Sequence, residues 1–197
     1  MNYDPNTHHR RSIRLSGYDY SHGGAYFITI CTEGRNCWLG HVTANGMMVL
    51  SEAGSMVQDA WRDLPNKADF ILPDWFVVMP NHIHGILRLA PRERGRQSPL
   101  AAPRPRLSGT TQWTLGRALQ SFKSRTTALY VEGVKYGSWA PFAGRIWQHN
   151  YYEHIIRHEE ATAQIRQYIR DNPLHWAWDP LNPQARPSDD PPLVWQV

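Results

Sequence analysis

Short β-branched and aromatic runs alternate along the chain with longer stretches in which apolar residues recur every three or four positions. The first run, "AYFITICT" (25–32), predicts a strand, and a Gly-punctuated turn region follows it. In "GMMVLSEAGSMVQDAWRDLP" (46–65), Val57, Ala60, Trp61 and Leu64 fall at helical spacing, with Ser51 as a candidate N-cap and Pro65 as the stop. "DWFVVMP" (74–80) and "HIHGILRLA" (82–90) read as two strands meeting at a tight Pro-Asn corner, an antiparallel hairpin. Residues 114–133 form a second helix with Leu115, Leu119, Phe122 and Leu129 as candidate buried positions, and "RIWQHNYYEHII" (145–156) reads as a fourth strand. In it, Trp147 and Gln148 are expected to pack the sheet edge. A third helix spans 159–172, acidic at its start and arginine-bearing later as its dipole favours. Its apolar stripe is Ala161, Ile165 and Ile169, and Asn172 before Pro173 should end it.

The element order is β-α-β-β-α-β followed by a helix. This predicts an α+β, ferredoxin-like split-βαβ fold: an antiparallel four-stranded sheet with helices on one face, plus a C-terminal helix. Three segments fall outside that pattern. Residues 1–24 form a basic N-terminal arm with Arg10, Arg11 and Arg14 close together, 91–111 a Pro/Arg-rich loop, and 179–197 a Pro-rich, loosely held C-terminal tail. The domain proper is expected over 25–178, and there is no internal repeat.

Composition narrows the function classes. A net charge of +4 permits a nucleic-acid partner, and nine Trp with nine Tyr suit both core packing and stacking on bases. Cys31 and Cys37 alone make neither a disulfide framework nor a zinc-ligand pattern, which fits a reducing compartment. The N-terminal residues lack the apolar core of a signal peptide, and no apolar run is long enough for a membrane span. The expectation is a soluble, cytoplasmic protein.

"MPNHIHGI" (79–86) carries the candidate chemistry. Residues i and i+2 of a strand face one side, so His82 and His84 project together, and two neutral imidazoles are a natural ligand pair for a divalent metal. Two ordinary strand histidines, one of them buried and hydrogen-bonded, would fit the same spacing. On the last helix Tyr168 and Asn172 lie one turn apart on one face. An amide oxygen from Asn172 would suit a Mg²⁺ or Mn²⁺ site beside a phosphate, and a tyrosine there could be activated to attack it. A tyrosine beside the Ile165/Ile169 stripe is also a common core-rim residue. Tyr151 and Tyr152 are rival nucleophiles. Glu153 and His154 are candidates to support or supplement the ligands. Arg10, Arg11, Arg14, Lys123 and Arg125 are candidate DNA contacts, the arm being the better placed to gain order on binding.

"VVMPNHIHGILRL", "IWQHNYYEHIIRHEE" and "IRQYIRDNPLHW" resemble the REP-associated tyrosine transposases, IS200-like members of the single-tyrosine HUH (His-hydrophobic-His) nucleases. "RRSIRLSGYDYSHGGAYFITICTEGR" and "LGRALQSFKSRTT" resemble the same family, and the likeness runs in order over about residues 10 to 176. The resemblance implies a ferredoxin-like fold with a catalytic C-terminal helix. It implies cleavage and rejoining of single-stranded DNA at hairpins of repetitive extragenic palindromes, through a 5′-phosphotyrosine. It places His82 and His84 as the HUH metal ligands with Mg²⁺ or Mn²⁺, Tyr168 as the nucleophile and Asn172 as the further metal-site residue, in a monomer or homodimer. Two other readings remain. One is a catalytically silent regulator that binds hairpin DNA on the same fold; the intact His82, His84 and Tyr168 speak against it. The other is a metal-storage or small-ligand module, disfavoured by the basic arm and the absence of a cysteine or carboxylate cluster.

Overall fold

The computed structural model describes residues 23–90 and 114–186. The arm with Arg10, Arg11 and Arg14, the loop at 91–111 and the tail beyond 186 lie outside the described residues.

Strand β1 (Gly24–Cys31) is followed by a short hairpin of β2 (Gly40–Val42) and β3 (Met48–Leu50). Helix α1 (Glu52–Arg62) comes next, then the four-residue α2 (Leu64–Lys67), β4 (Ile71–Val78) and β5 (His82–Leu89). The long helix α3 (Leu115–Tyr136), β6 (Tyr152–Ile156), helix α4 (Glu159–Asp171) and a 3-10 helix (Asn172–Trp178) complete the order. The main sheet runs β4-β5-β1-β6 with every neighbour antiparallel. Counting only these four strands, that order is the 4-1-3-2 arrangement of the split βαβ, and the fold is α+β as expected.

The two faces of the sheet carry different partners. Tyr26, Ile28 and Ile30 of β1, with Ile83 and Leu87 of β5, face the main core, where Val57 and Trp61 of α1 and Leu115, Leu119 and Phe122 of α3 are buried. The alternate positions Phe27 and Ile86, with Ile156, face Ile165 and Ile169 of α4 in a second cluster. Gly85 is the reason the strand lies close to α1: a Cβ there would sit 2.6 Å from Cζ2 of Trp61.

Four local expectations are corrected. Residues 46–50 are not helical. Gly46 has φ +73, and Met48–Leu50 pair with Gly40–Val42, so the helix starts only after Ser51, whose hydroxyl accepts from Gly54 N at 3.0 Å. Pro65 does not end α1, which stops three residues earlier at Arg62; it sits in the first turn of α2, where a missing N–H costs nothing. The fourth strand begins at Tyr152 rather than Arg145, because the carbonyls of Gln148, His149 and Asn150 turn to accept from Lys123 Nζ. Trp147 and Gln148 still sit at the edge of β1. Trp147 bridges Thr32, and Gln148 N donates to Cys31 O. Tyr130, rather than Leu129, is the fully buried residue late in α3. Among the described residues, no helix is long and apolar enough to cross a membrane.

Candidate functional site

The β4–β5 corner positions the histidines. Met79 N donates to His82 O, closing the turn, and Asn81 O accepts from both the backbone N and the hydroxyl of Thr32. From that corner His82 and His84 both project away from the α1/α3 side. Their ring centroids are 4.5 Å apart, and both residues are buried. Burial holds His84 at a pKa of about 3; burial and then the neighbouring His84 hold His82 well below its usual value. Both imidazoles are therefore neutral near pH 7, with one lone pair each.

Each ring has one nitrogen engaged. His82 Nδ1 is 2.8 Å from Asn81 Oδ1, and His84 Nδ1 is 2.8 Å from Thr29 Oγ1. On the other side, His84 Nε2 faces the Tyr168 hydroxyl at 3.2 Å, while His82 Nε2 is buried without a hydrogen-bond partner among the described residues. Tyr168 stands with its ring edge-on to Phe27, at 5.9 Å and 83°. Burial, and then the charge of Asp179, push its hydroxyl well above the usual tyrosine range. The Tyr168 phenol is therefore held in its protonated form near pH 7.

Asn172 and Asp179 close the group. Asn172 is 4% exposed, and its Oδ1 also lacks a partner. Asp179 is 7% exposed. One carboxylate oxygen accepts from Leu181 N at 2.7 Å, and the other lies 3.9 Å from His82 Nε2. One ligand atom from each of His82, His84 and Asp179 falls within 4.8 Å of the others. The indole of Trp176 packs 6.0 Å from the His82 ring. The neutral imidazole pair, the unpartnered Oδ1 of Asn172 and a carboxylate oxygen of Asp179 form a group that could hold a metal ion.

The structure thus brings His82, His84, Tyr168 and Asn172 together. It adds Asp179, which sequence reading placed at the start of a loose tail. The tail is not loose there: Pro180 O accepts from Arg35 Nη1, and Leu181 O from Asn81 Nδ2. Trp176, just ahead of the segment, was the available sign that it packs. Glu153 is not brought to the site. It pairs in register with Ile28 and so faces the opposite side of the sheet, with both carboxylate oxygens buried. His154 pairs with Phe27 on the histidine side but stands outside the His82/His84/Asp179 group. Tyr151 lies under the Lys123 ammonium at 5.5 Å, and Tyr152 is a half-exposed edge-strand residue. Lys123 Nζ is occupied by three backbone carbonyls, and Arg125 is ion-paired to Asp63.

No family model matches the chain. An uncharacterized protein of Haemophilus influenzae (strain ATCC 51907 / DSM 11121 / KW20 / Rd) is 40% identical over 185 residues, which is 91% of this chain and 96% of that protein. The chain belongs to that protein's family. Among solved structures, a REP-associated tyrosine transposase bound to a REP hairpin superposes with a TM-score of 0.54. It is 18% identical, over 82% of this chain and 73% of that one. The chain shares the fold of that REP-associated tyrosine transposase: here a four-stranded antiparallel sheet with a C-terminal helix packed across one face.

Proposed function

We propose that the protein is a metal-dependent single-stranded DNA endonuclease and transposase that cuts and rejoins DNA at hairpin-forming palindromic repeats, with Tyr168 as nucleophile. The observation that carries this reading is the convergence of the Tyr168 hydroxyl, His84 Nε2 and two buried, unpartnered acceptors, His82 Nε2 and Asn172 Oδ1.

His82, His84, Asp179 and Asn172 are the residues that would hold the metal. Bound there, Mg²⁺ or Mn²⁺ supplies Lewis-acid polarisation of the scissile phosphate and favours phenolate beside it. The protein's own part is positional. Phe27 and His84 fix the Tyr168 ring, and Asn81 and Thr29 fix the two imidazoles. The Tyr168 oxygen attacks phosphorus; a tyrosyl O–P bond forms as the P–O3′ bond breaks. The departing 3′ oxygen gains a proton and the phenol loses one, leaving a 5′-phosphotyrosine and a free 3′-OH. One phosphodiester is exchanged for another, so the reverse step rejoins the strand. The basic arm bearing Arg10, Arg11 and Arg14 is our proposal for the phosphate contacts. Lys123 and Arg125 are left out, since each already has its acceptors. Action on chromosomal DNA in the cytoplasm fits this reading.

The test is capture on a denaturing gel. Protein, Mn²⁺ and labelled single-stranded hairpins from palindromes flanking the gene are mixed, with Tyr168→Phe alongside. Label migrating with wild-type protein but not with the variant is expected. Tight hairpin binding with no adduct overturns the nuclease and leaves a hairpin-binding regulator.

A further inference from the structure

Asn81 is 1% exposed and uses every polar atom of its side chain. Its Nδ2 donates to two carbonyls, Arg35 O at 3.1 Å and Leu181 O at 2.7 Å, while Oδ1 lies 2.8 Å from His82 Nδ1. This amide has one workable orientation. Reversed, its oxygen would face two carbonyl oxygens, so Oδ1 is the acceptor and His82 Nδ1 carries the hydrogen. A neutral imidazole has only one N–H, and Nε2 is left bare. That is the nitrogen found buried and unpartnered, 3.9 Å from Asp179.

The donor side of the same amide reaches a different part of the chain. Leu181 lies in the segment after the 3-10 helix, two residues beyond Asp179. Arg35 grips the same segment independently, donating from Nη1 to Pro180 O at 2.8 Å. The Arg35 backbone is left-handed, at φ +56 directly after Gly34 at φ +62, a conformation uncommon for a non-glycine residue. That conformation belongs to the loop in which the Arg35 carbonyl meets Asn81. Within the anchored segment Leu181 N holds one carboxylate oxygen of Asp179 and leaves the other toward His82.

We infer that Asn81 is the positioning residue of the metal site: a single amide sets the tautomer that bares His82 Nε2 and ties down the segment that delivers Asp179. The inference rests on the metal-site reading above and adds a residue to it. An asparagine serving only to make the turn would fix neither the ring's proton nor the remote segment.

Three readouts on the full-length protein test it. Nitrogen NMR of ¹⁵N-histidine-labelled, metal-free protein reports the His82 tautomer. Hydrogen exchange at the Leu181 amide reports the anchored segment, and Mn²⁺ titration reports the donor set. The wild type is expected to show Nδ1–H at His82. Asn81→Ala should shift that ring toward Nε2–H, speed exchange at Leu181, and weaken Mn²⁺ binding about 10- to 100-fold, the usual cost of losing a residue that orients a ligand. Asn81→Asp keeps an oxygen opposite Nδ1 and loses both donors. It should keep the tautomer, speed exchange at Leu181 and bind Mn²⁺ with intermediate affinity. A wild-type His82 protonated at Nε2 overturns the inference even if Asn81→Ala fails to fold. Wild-type Mn²⁺ uptake with a folded, unaltered Asn81→Ala overturns this inference alone. Wild-type protein that takes up no Mn²⁺ overturns the metal reading as well.

Discussion

The hydroxyl of Tyr168 lies 3.2 Å from Nε2 of His84, a residue 84 positions away in the chain. The contact exists because Ile165 and Ile169 seat α4 on Phe27, Ile86 and Ile156, one strand face away from the main core. Tyr168→Phe keeps the ring on Phe27 and removes only the oxygen. It leaves His84 Nε2 without a partner, which costs about 1–3 kcal/mol for a buried acceptor. Chemical denaturation should register that loss in a protein that folds normally and forms no covalent DNA adduct. A variant that still captures DNA would move the nucleophile to Tyr151 or Tyr152.

Asp179 presents one carboxylate oxygen to His82 while Leu181 N donates to the other. Asp179→Asn preserves shape and the turn but replaces a charged donor with a neutral one. Mn²⁺ affinity, measured by calorimetry, is expected to fall at least about tenfold, within the range seen for loss of a ligand-site interaction. Unchanged affinity would leave the two histidines and Asn172 as the donor set.

Asp74 ties α4 to the sheet. Its carboxylate accepts from Arg166 Nη2 at 2.7 Å and from Arg88 Nε at 3.0 Å, two residues ahead of Tyr168 on the helix side. Burial works to raise the Asp74 pKa, but the hydrogen bonds from Arg166 and Arg88 hold it below the usual carboxylate value. A depressed folded pKa gives stability that is complete above the unfolded value near 4 and is lost as pH falls through the folded one. Asp74→Asn should cost about 2 kcal/mol at pH 7 and flatten the acid limb of the stability profile. Burying Ile165 and Ile169 contributes about 3–6 kcal/mol, so α4 should loosen rather than detach. An acid limb identical to wild type would show that the pair does not hold the helix.

Gly85 separates His84 from Ile86 and faces Trp61. A methyl group there meets the indole at 2.6 Å, and the strand or the ring must shift. Gly85→Ala is expected to destabilise by about 1–3 kcal/mol, with a change in tryptophan fluorescence. Wild-type stability in urea would mean that α1 yields without cost.

Much of this was legible in the sequence because it is periodic. The Val57/Ala60/Trp61 spacing, the Ser51 cap and the shared side of His82 and His84 each specify a local structure, and each is found. The start of α1 misled because "GMMVL" is apolar enough to extend the helix; pairing with Gly40–Val42, a tertiary event, claims it instead. Asp179 was illegible for a related reason. Only the nearby Trp176 hints that it packs, and its segment is held by Asn81 and Arg35, which lie far earlier in the chain. The seat of Lys123 was hidden in the same way, in the carbonyls of a loop 25 residues downstream.

The anchoring of Pro180 and Leu181 by Arg35 and Asn81 also has a consequence for synthesis. Strand β5, which carries both histidines, leaves the ribosome long before α4, and α4 before Asp179. A nascent or truncated chain lacking the last of these segments would hold a folded β4–β5 hairpin but an incomplete donor set. On the reading proposed above, translation would deliver the nuclease inert and arm it only when the segment carrying Asp179 emerges.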